Sequence, residues 1–246
     1  NTTFYSIPDQ ATLERWRADV PASFRFCLKL PRSLSHSGSL IANIAAAQQF
    51  ATQMSTLGST LGPMFLQLPP NYSPRQQPDL EEFLAAWPHA QVRLAVEVRQ
   101  AHWFKPGPNT NLNQRLQRWQ AGRVLLDTRP IYRCDDDPQV LSERRKPDVP
   151  LLPTATTDFA LVRFISHPIL ERNEPYLDEW VTQVQTWLTA GITVYFFVHC
   201  PEEVHSPAIA HRFYEKLNAA GVPVGALPWD HVPPEPVEPA QLSLFG

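Results

Sequence analysis

LAVEVR at residues 94–99 and VLLDTR at residues 124–129 decide the fold class, because each is a short apolar run that ends in charged residues. Nearly continuous apolar runs of this length are typical of parallel strands that helices cover. Clean alternation of polar and apolar residues would instead indicate a half-exposed sheet. Similar runs recur along the chain and predict strands at Thr2–Tyr5, Phe24–Leu30, Met64–Leu68, Arg93–Val98, Val124–Asp127, Phe159–Ile165 and Thr193–Val198.

Helical patterns lie between most of these strands, with apolar residues spaced three and four apart. They predict helices at Asp9–Asp19, Ser39–Leu57, Pro78–Trp87, Asn111–Ala121, Pro175–Ala190 and Pro207–Ala220. Strands that alternate with helices over short links indicate an α/β fold with right-handed crossovers.

The alternation predicts a (β/α) TIM-like barrel over residues 1–230. Seven strands are visible, and one strand-helix unit before Asn1 would give the eight of a closed barrel. We therefore expect that this chain lacks its first strand-helix unit. An open doubly wound sheet is the alternative, but the sequence has neither GxGxxG nor GxxxxGK[ST] to form a phosphate loop.

Composition narrows the class of protein further. The chain has 246 residues and a net charge of -3, so a broad nucleic-acid surface is not expected. No apolar stretch approaches the ~20 residues that span a bilayer, so no membrane segment is expected. Three widely spaced cysteines, Cys27, Cys134 and Cys200, form no disulfide framework. We expect a cytoplasmic protein.

Polar residues follow several strands, where a parallel barrel gathers its binding and catalytic groups. They are Lys29, Gln67, Glu97, Arg99, Asp127, Arg129, Arg163 and His199. Charged groups amid apolar runs need partners. They form either an ion-pair network that plugs the barrel or a ligand site, and the sequence leaves both open.

If they form a ligand site, its charge favours an anion. Four cations (Lys29, Arg99, Arg129 and Arg163) face two carboxylates, so a phosphate or carboxylate compound is the expected ligand. Glu97 or Asp127 is then the candidate general base, and Lys29 or His199 the candidate acid or charge stabiliser.

Neither a metal nor a cofactor is expected. The histidines show no HExxH or HxH spacing, and no Cys/His set has the spacing of a zinc site. The run Asp135–Asp137 lacks the spacing of a calcium loop and predicts a solvated turn. It belongs to the long connection Arg129–Thr157, which we interpret as a lid or a mobile insertion.

Six blocks resemble, in order, the YecE-like domain-of-unknown-function family: NTTFYSIP, FRFCLKLPRSLSHS, FLQLPPNYSPR, LAVEVRQAHWF, VLLDTRP and LVRFIS. The resemblance implies an irregular TIM-like barrel that begins with a strand and a helix before NTTFY. It names no reaction. The resemblance places these residues at the open end of the barrel: Asn1, Thr3, Tyr5, Lys29, His36, Gln67, Glu97, Arg99, Trp103, Asp127 and Arg163.

Two positions depart from the family pattern. Many members have His-Gly where this chain has Ile165-Ser166, and an Asn commonly stands where this chain has His199. A reaction that depends on those side chains would not be shared by this protein.

The C-terminus forms a separate unit over residues 231–246. A Pro-rich, acidic linker precedes QLSLF, which resembles the pentapeptide by which bacterial replication and repair proteins bind the DNA sliding clamp. An extended linker suits such docking. The predicted contacts to the clamp are Gln241, Leu242, Leu244 and Phe245. The alternative is that the tail packs against its own barrel.

Overall fold

The computed structural model describes residues 2–142 and 145–227, which form an α/β structure. The strands are β1 (Met64–Gln67), β2 (Leu94–Glu97), β3 (Gly122–Asp127), β4 (Phe159–Ile165) and β5 (Thr193–His199). The α-helices are α1 (Thr2–Tyr5), α2 (Gln10–Ala18), α3 (Arg32–Ser35), α4 (Ile44–Met54), α5 (Gln77–Ala86), α6 (Pro106–Arg118), α7 (Arg129–Tyr132), α8 (Glu174–Thr189) and α9 (Ser206–Ala219). Short 3₁₀ helices lie at Ile41–Asn43, Ser55–Thr60, Pro74–Gln76, Ala101–Phe104, Leu170–Asn173 and Glu203–His205.

The five strands form one parallel sheet in the order β1-β2-β3-β4-β5. Each strand therefore lies beside the next one in the sequence, and every pair of neighbours is joined by a crossover. These are the last five of the seven predicted strands, and their prediction is confirmed. The α/β class is confirmed with them.

The predicted strand Phe24–Leu30 is only partly regular. It contacts the β1 edge through two isolated parallel bridges, Phe26 to Leu61 and Lys29 to Phe65. Leu28 O accepts from Phe65 N at 2.9 Å, and Leu30 N donates to Phe65 O at 3.0 Å. This segment extends the sheet beyond β1 and fixes Lys29 next to the β1 strand.

The predicted strand at Thr2–Tyr5 is wrong, because these residues form the single helical turn α1. Thr and aromatic residues favour strands only weakly, and tertiary contacts override that preference. Here Thr3 Oγ1 donates to Lys29 O at 2.7 Å, and the Phe4 ring lies under Lys29 Nζ. These contacts hold the turn over the ends of the strands.

The helices occupy the predicted places with shifted ends. The predicted helix Ser39–Leu57 divides into two 3₁₀ helices around α4. The second 3₁₀ helix, Ser55–Thr60, is interrupted at Gly58, whose φ of 56° lies in the left-handed region that glycine adopts readily. The predicted connection Arg129–Thr157 begins with α7 and is otherwise irregular in its described residues.

The two faces of the sheet are lined by alternate residues of each strand, as the pleat requires. One face packs on the helices: Leu66 and Val96 belong to a large cluster with α4–α6, and Phe164 to another with α8 and α9. The opposite, inner face carries a third cluster with members from all five strands. These members are Phe65, Ala95, Val124, Phe159, Leu161, Tyr195 and Phe197.

The tail predicted to dock on a clamp, including Gln241, Leu242, Leu244 and Phe245, lies outside the described residues, as does Asn1. Within the described part of the chain, no helix is long and apolar enough to cross a membrane.

Candidate functional site

The inner face of the sheet changes from apolar to polar toward the C-terminal ends of the strands. Because side chains alternate, the residue two places after each inner apolar residue faces the same way. Phe65 is followed by Gln67, Ala95 by Glu97, and Leu161 by Arg163. On the same face of the sheet, Val124 is followed by Leu126 and Phe197 by His199. The fold itself therefore places a polar layer on top of the inner cluster.

A chain of hydrogen bonds links the Phe24–Leu30 segment, β1, β2 and β4 across this layer. Lys29 Nζ donates to Gln67 Oε1 at 2.8 Å, and Gln67 Nε2 donates to Glu97 Oε1 at 2.7 Å. Arg163 Nη1 donates to Glu97 Oε2 at 2.5 Å. Glu97 is fully buried, so these donors are what makes its negative charge tolerable.

The polar layer borders a cavity of about 410 Å³, which we call the cationic cavity. Of the described residues that line it, Glu97 is the one carboxylate. The cations that line it are Lys29, Arg32, Arg99, Arg145, Lys146 and Arg163. Arg145 is paired with Asp137. The remaining cations still outnumber Glu97 by several to one.

Two guanidinium nitrogens in this cavity are buried and lack a hydrogen-bond acceptor among the described residues: Nε of Arg99 and Nε of Arg163. Arg99 Nε lies 3.8 Å from Glu97 Oε1, which is too long for a hydrogen bond. A buried donor without an acceptor costs about 1–3 kcal/mol, and more when it is charged.

The electrostatics of the cavity keep Glu97 ionised. Burial alone would raise the pKa of Glu97, but the charges of Arg163 and Arg99 and the hydrogen bonds from Arg163 and Gln67 lower it overall. Glu97 is therefore a poor candidate for a general base, since its carboxylate is already committed to two guanidinium groups.

The same cations lower the pKa of the lysines as well, and for a lysine this favours the neutral form. Burial, reinforced by repulsion from Arg163, Arg99 and Lys146 and opposed by Glu97, lowers the pKa of Lys29 to about 7. Burial and the same two arginines lower the pKa of Lys146. Part of the Lys29 population is therefore a neutral amine near neutral pH.

A second cavity, of about 390 Å³, lies between the Phe24–Leu30 segment and β5. Lys29 and Arg163 line both cavities, whereas His199 lines this second one. Burial, with repulsion from Arg163 and Lys146, lowers the pKa of His199 to about 3. His199 is thus a neutral ring at neutral pH, and it does not line the cationic cavity.

Asp127 does not line the cationic cavity. It faces the helices, where its carboxylate accepts from Trp180 Nε1 at 2.8 Å and from Arg129 Nε at 2.9 Å and Nη2 at 3.0 Å. Leu126, one residue earlier, faces the cavity instead. The grouping of Asp127 and Arg129 with the ligand site is corrected: together with Trp180 they form a structural cluster on the helix side of the sheet.

Trp103 is also part of the core rather than of the cavity. Its ring is completely buried in the cluster around α4–α6, and its Nε1 donates to Tyr72 O at 2.8 Å. Tyr5 and His36 do line the cavity, with Tyr5 71% exposed at its rim. Tyr5, His36, Lys29, Gln67, Glu97, Arg99 and Arg163 are therefore the predicted residues that the fold brings together.

Several cavity residues were not predicted from the sequence. Lys146 comes from the connection after β3, which reaches back over the strand ends and is held there by a bond from Tyr132 Oη to Lys146 O at 2.5 Å. Arg32 begins α3, immediately after the Lys29 segment. The basic residues of the connection were the available signal, but sequence alone does not show where an irregular connection folds.

Cys134, Asp136 and His167 offer ligand atoms within 4.8 Å of one another, as a metal site would. Their hydrogen bonds indicate a different role. His167 Nδ1 accepts from Ile169 N, so a neutral ring carries its proton on Nε2, which faces Asp136 at 3.1 Å. A metal bound at Nε2 would need that nitrogen without its proton, and Nδ1 would have to carry the proton instead. Asp136 is also paired with Arg172. We interpret these contacts as structural, because they hold the connection Arg129–Thr157 against the end of β4.

Comparisons with known proteins agree with this architecture. The family model described as protein of unknown function DUF72 matches residues 1–233. UPF0759 protein YecE of Escherichia coli, from strains K12 and O157:H7, is 32% identical over 248 aligned positions, which cover 100% of this chain and 88% of that protein.

Two crystal structures of a DUF72 family protein from Enterococcus faecalis V583 have the same fold. One gives a TM-score of 0.66 at 17% identity over 88% of this chain and 82% of the other. The second gives 0.65 at 18% identity over 88% and 87%. Taken with the match over most of the sequence, these findings show that the chain belongs to the DUF72 family of proteins of unknown function.

Proposed function

We propose that this protein binds a small anionic compound, a phosphate or a carboxylate, in the cationic cavity. The observation that carries the proposal is the imbalance of charge there. Glu97 balances part of the charge of Arg163 and Arg99. One buried guanidinium nitrogen of each arginine has no hydrogen-bond acceptor among the described residues.

The surrounding sheet supports a site of this kind. All five strands are parallel and in sequential order, and the Phe24–Leu30 segment continues the sheet toward β5 across the second cavity. We propose that the sheet curves into a TIM-like barrel, in which ligands bind at the C-terminal ends of the strands. Three free cysteines suit a cytoplasmic location.

The arginines would bind the anion directly, and the lysines would add positive charge to the cavity. Arg99 and Arg163 both line the cavity, and Glu97 binds only part of the Arg163 guanidinium group. Guanidinium groups match the geometry of carboxylate and phosphate oxygens. Lys146, which has no ion pair with the described residues, adds a point charge at the rim.

Isothermal titration calorimetry with inorganic phosphate and with oxalate tests the proposal. We expect saturable binding of one anion per chain. Arg99→Gln should weaken it by roughly 10–100-fold, since a hydrogen bond to a charged group contributes about 1.5–3 kcal/mol. Lys146→Gln should weaken it less, because its ammonium is a longer, more hydrated donor.

Arg118→Gln is the matched control. Arg118 lies on α6 with 70% of its side chain exposed, 3.9 Å from Glu81. It has the same charge and the same substitution but no place in the cavity. If Arg118→Gln weakens binding as much as Arg99→Gln does, or if neither anion binds, the cavity is not an anion site.

A second candidate function rests on the tail sequence alone. We propose that Gln241–Phe245, which reads QLSLF, lets the protein dock on the DNA sliding clamp and so serve replication or repair. Replacing Leu244 and Phe245 together with Ala should abolish capture by purified clamp in a pull-down. Equal capture of both forms, or capture of neither, would rule this docking out.

A further inference from the structure

The chain has four lysines, and their surroundings differ sharply: Lys29, Lys105, Lys146 and Lys216. Lys105 is exposed. Lys216 Nζ forms ion pairs at 2.6 Å with both Glu174 and Asp178. Lys29 has no ion pair with any described residue, although it lines both cavities.

Lys29 Nζ is held by groups that tolerate a neutral amine as well as an ammonium. It lies 3.5 Å from the centre of the Phe4 ring and donates to the uncharged amide oxygen of Gln67 at 2.8 Å. The four charged groups that act on it are Glu97, Arg163, Arg99 and Lys146. Three of these four are cations, and each favours loss of the Lys29 proton.

The charge of Glu97 opposes that effect, but the carboxylate does not contact Lys29 directly. Glu97 is reached from Lys29 only through Gln67, and it is bound directly by Arg163. Lys29 is therefore an amine held in a fixed position beside several cations. The carboxylate that balances part of their charge, Glu97, is bound by Arg163 and not by Lys29. Desolvation and neighbouring cations are the means by which proteins turn a lysine into a nucleophile for carbonyl compounds.

Cys27, two residues earlier, is the other nucleophile that lines the second cavity. Burial raises the pKa of its thiol to about 12, so the thiolate is scarce at neutral pH. The choice between the two nucleophiles therefore favours Lys29.

We propose that Lys29 forms an imine with the carbonyl group of a small oxo acid whose carboxylate is held by Arg99 and Arg163. This inference rests on the proposed anion site and specifies its ligand: an anion that carries an aldehyde or ketone. The neutral amine that the chemistry requires is the form that the lowered pKa of Lys29 provides.

The reaction balances without a further reagent. The Lys29 ammonium first loses a proton to solvent. Its nitrogen lone pair forms a bond to the carbonyl carbon, and the carbonyl π electrons move to oxygen, which takes up a proton. The nitrogen then loses its second proton and the hydroxyl oxygen takes up a second one. The nitrogen lone pair forms the C=N bond as the C–O bond breaks and water leaves, and loss of the last N–H proton gives the neutral imine. Amine and carbonyl compound thus yield one imine and one water.

Reductive trapping tests the proposal on the intact chain. The protein is treated with glyoxylate and sodium cyanoborohydride near neutral pH, and the carboxymethyl adducts are located by peptide mass spectrometry. We expect at least about tenfold more adduct on Lys29 than on Lys105 or Lys216, because an ordinary lysine with a pKa near 10.4 is almost fully protonated there. Oxalate, an anion without an electrophilic carbonyl group, should protect Lys29.

Lys29→Arg is the matched variant, because it keeps a positive charge but has no amine that forms an imine with an oxo acid. It should give no adduct at position 29. Binding of oxalate by the unsubstituted chain together with adducts spread evenly over the lysines, or concentrated on Lys146, would overturn the imine and leave the anion site standing. Absence of both oxalate binding and selective labelling would overturn the two together.

Discussion

Glu97 and Asp127 are two fully buried carboxylates near the ends of neighbouring strands, yet their surroundings are opposite. Asp127 faces the helices, and its oxygens accept from Arg129 and Trp180 in a closed arrangement. Glu97 faces the inner side, where it is bound by Arg163 and Gln67 and still leaves cationic groups unbalanced. A charged residue at a strand end is therefore a site residue only when the pleat turns it inward.

Removing the Asp127 carboxylate tests whether its role is structural. Asp127→Ala leaves Arg129 and Trp180 Nε1 without their buried acceptor, and breaking a buried pair in this way costs about 3–5 kcal/mol. Urea unfolding should show that loss, while calorimetry on the folded variant shows unchanged phosphate affinity. A loss of affinity larger than a few-fold would place Asp127 in the site after all.

Glu97→Gln should have the contrasting effect on binding. It removes the one negative charge among the described cavity residues but keeps an oxygen that can accept from Arg163. At a separation of about 8 Å and an effective dielectric constant of ~20, one charge is worth roughly 2 kcal/mol. We therefore expect phosphate to bind on the order of tenfold more tightly, as measured by calorimetry. Weaker binding would mean that Glu97 orients the ligand-binding arginines rather than opposing the anion.

The dependence of stability on pH provides a third test. The pKa of Lys29 is about 7 in the folded chain, below the value of an unfolded lysine, so between those two values the unfolded chain binds more protons. The free energy of unfolding should therefore rise with pH through this window by a contribution that Lys29→Met lacks. Denaturant titrations of both proteins at a series of pH values measure it, and parallel curves would contradict the lowered pKa.

Trp103→Phe should have the smallest effect and none on the cavity. The substitution keeps an aromatic ring in the core but removes the hydrogen bond to Tyr72 O, which costs about 1–2 kcal/mol. Thermal unfolding should show the small loss, and the phosphate affinity should stay the same. Altered affinity would indicate that Trp103 shapes the cavity through the 3₁₀ helix Ala101–Phe104.

The sequence was sufficient for the fold class because the apolar runs of β1–β5 are long enough to register as buried parallel strands. It failed at Thr2–Tyr5, where four residues carry too little pattern to separate a helical turn from a strand. The contacts of Thr3 and Phe4 with Lys29, which is distant in sequence, decide that turn.

For the site, sequence identified the strand ends but not which residues face inward. In β3, Arg123 and Asp127 both face the helices: Arg123 binds Asn109 and Asn113 of α6, and Asp127 binds Trp180 of α8. A run of RVLLD gives no sign of this, because charged and apolar residues share that face. Lys146 was missed for another reason, since an irregular connection has no period from which its path can be predicted.

Burial and the neighbouring cations lower the pKa of Lys29, and an anion bound in the cavity should raise it again. An NMR titration of the lysine Hε–Cε signals tests this claim most directly, and Lys29→Arg assigns the signal among the four lysines. We predict that Lys29 titrates near a pKa of about 7 without phosphate. Saturating phosphate should raise that pKa by about 1 unit or more, because an opposite charge nearby favours the ammonium. An ordinary lysine pKa, or one that phosphate leaves unchanged, would contradict the account.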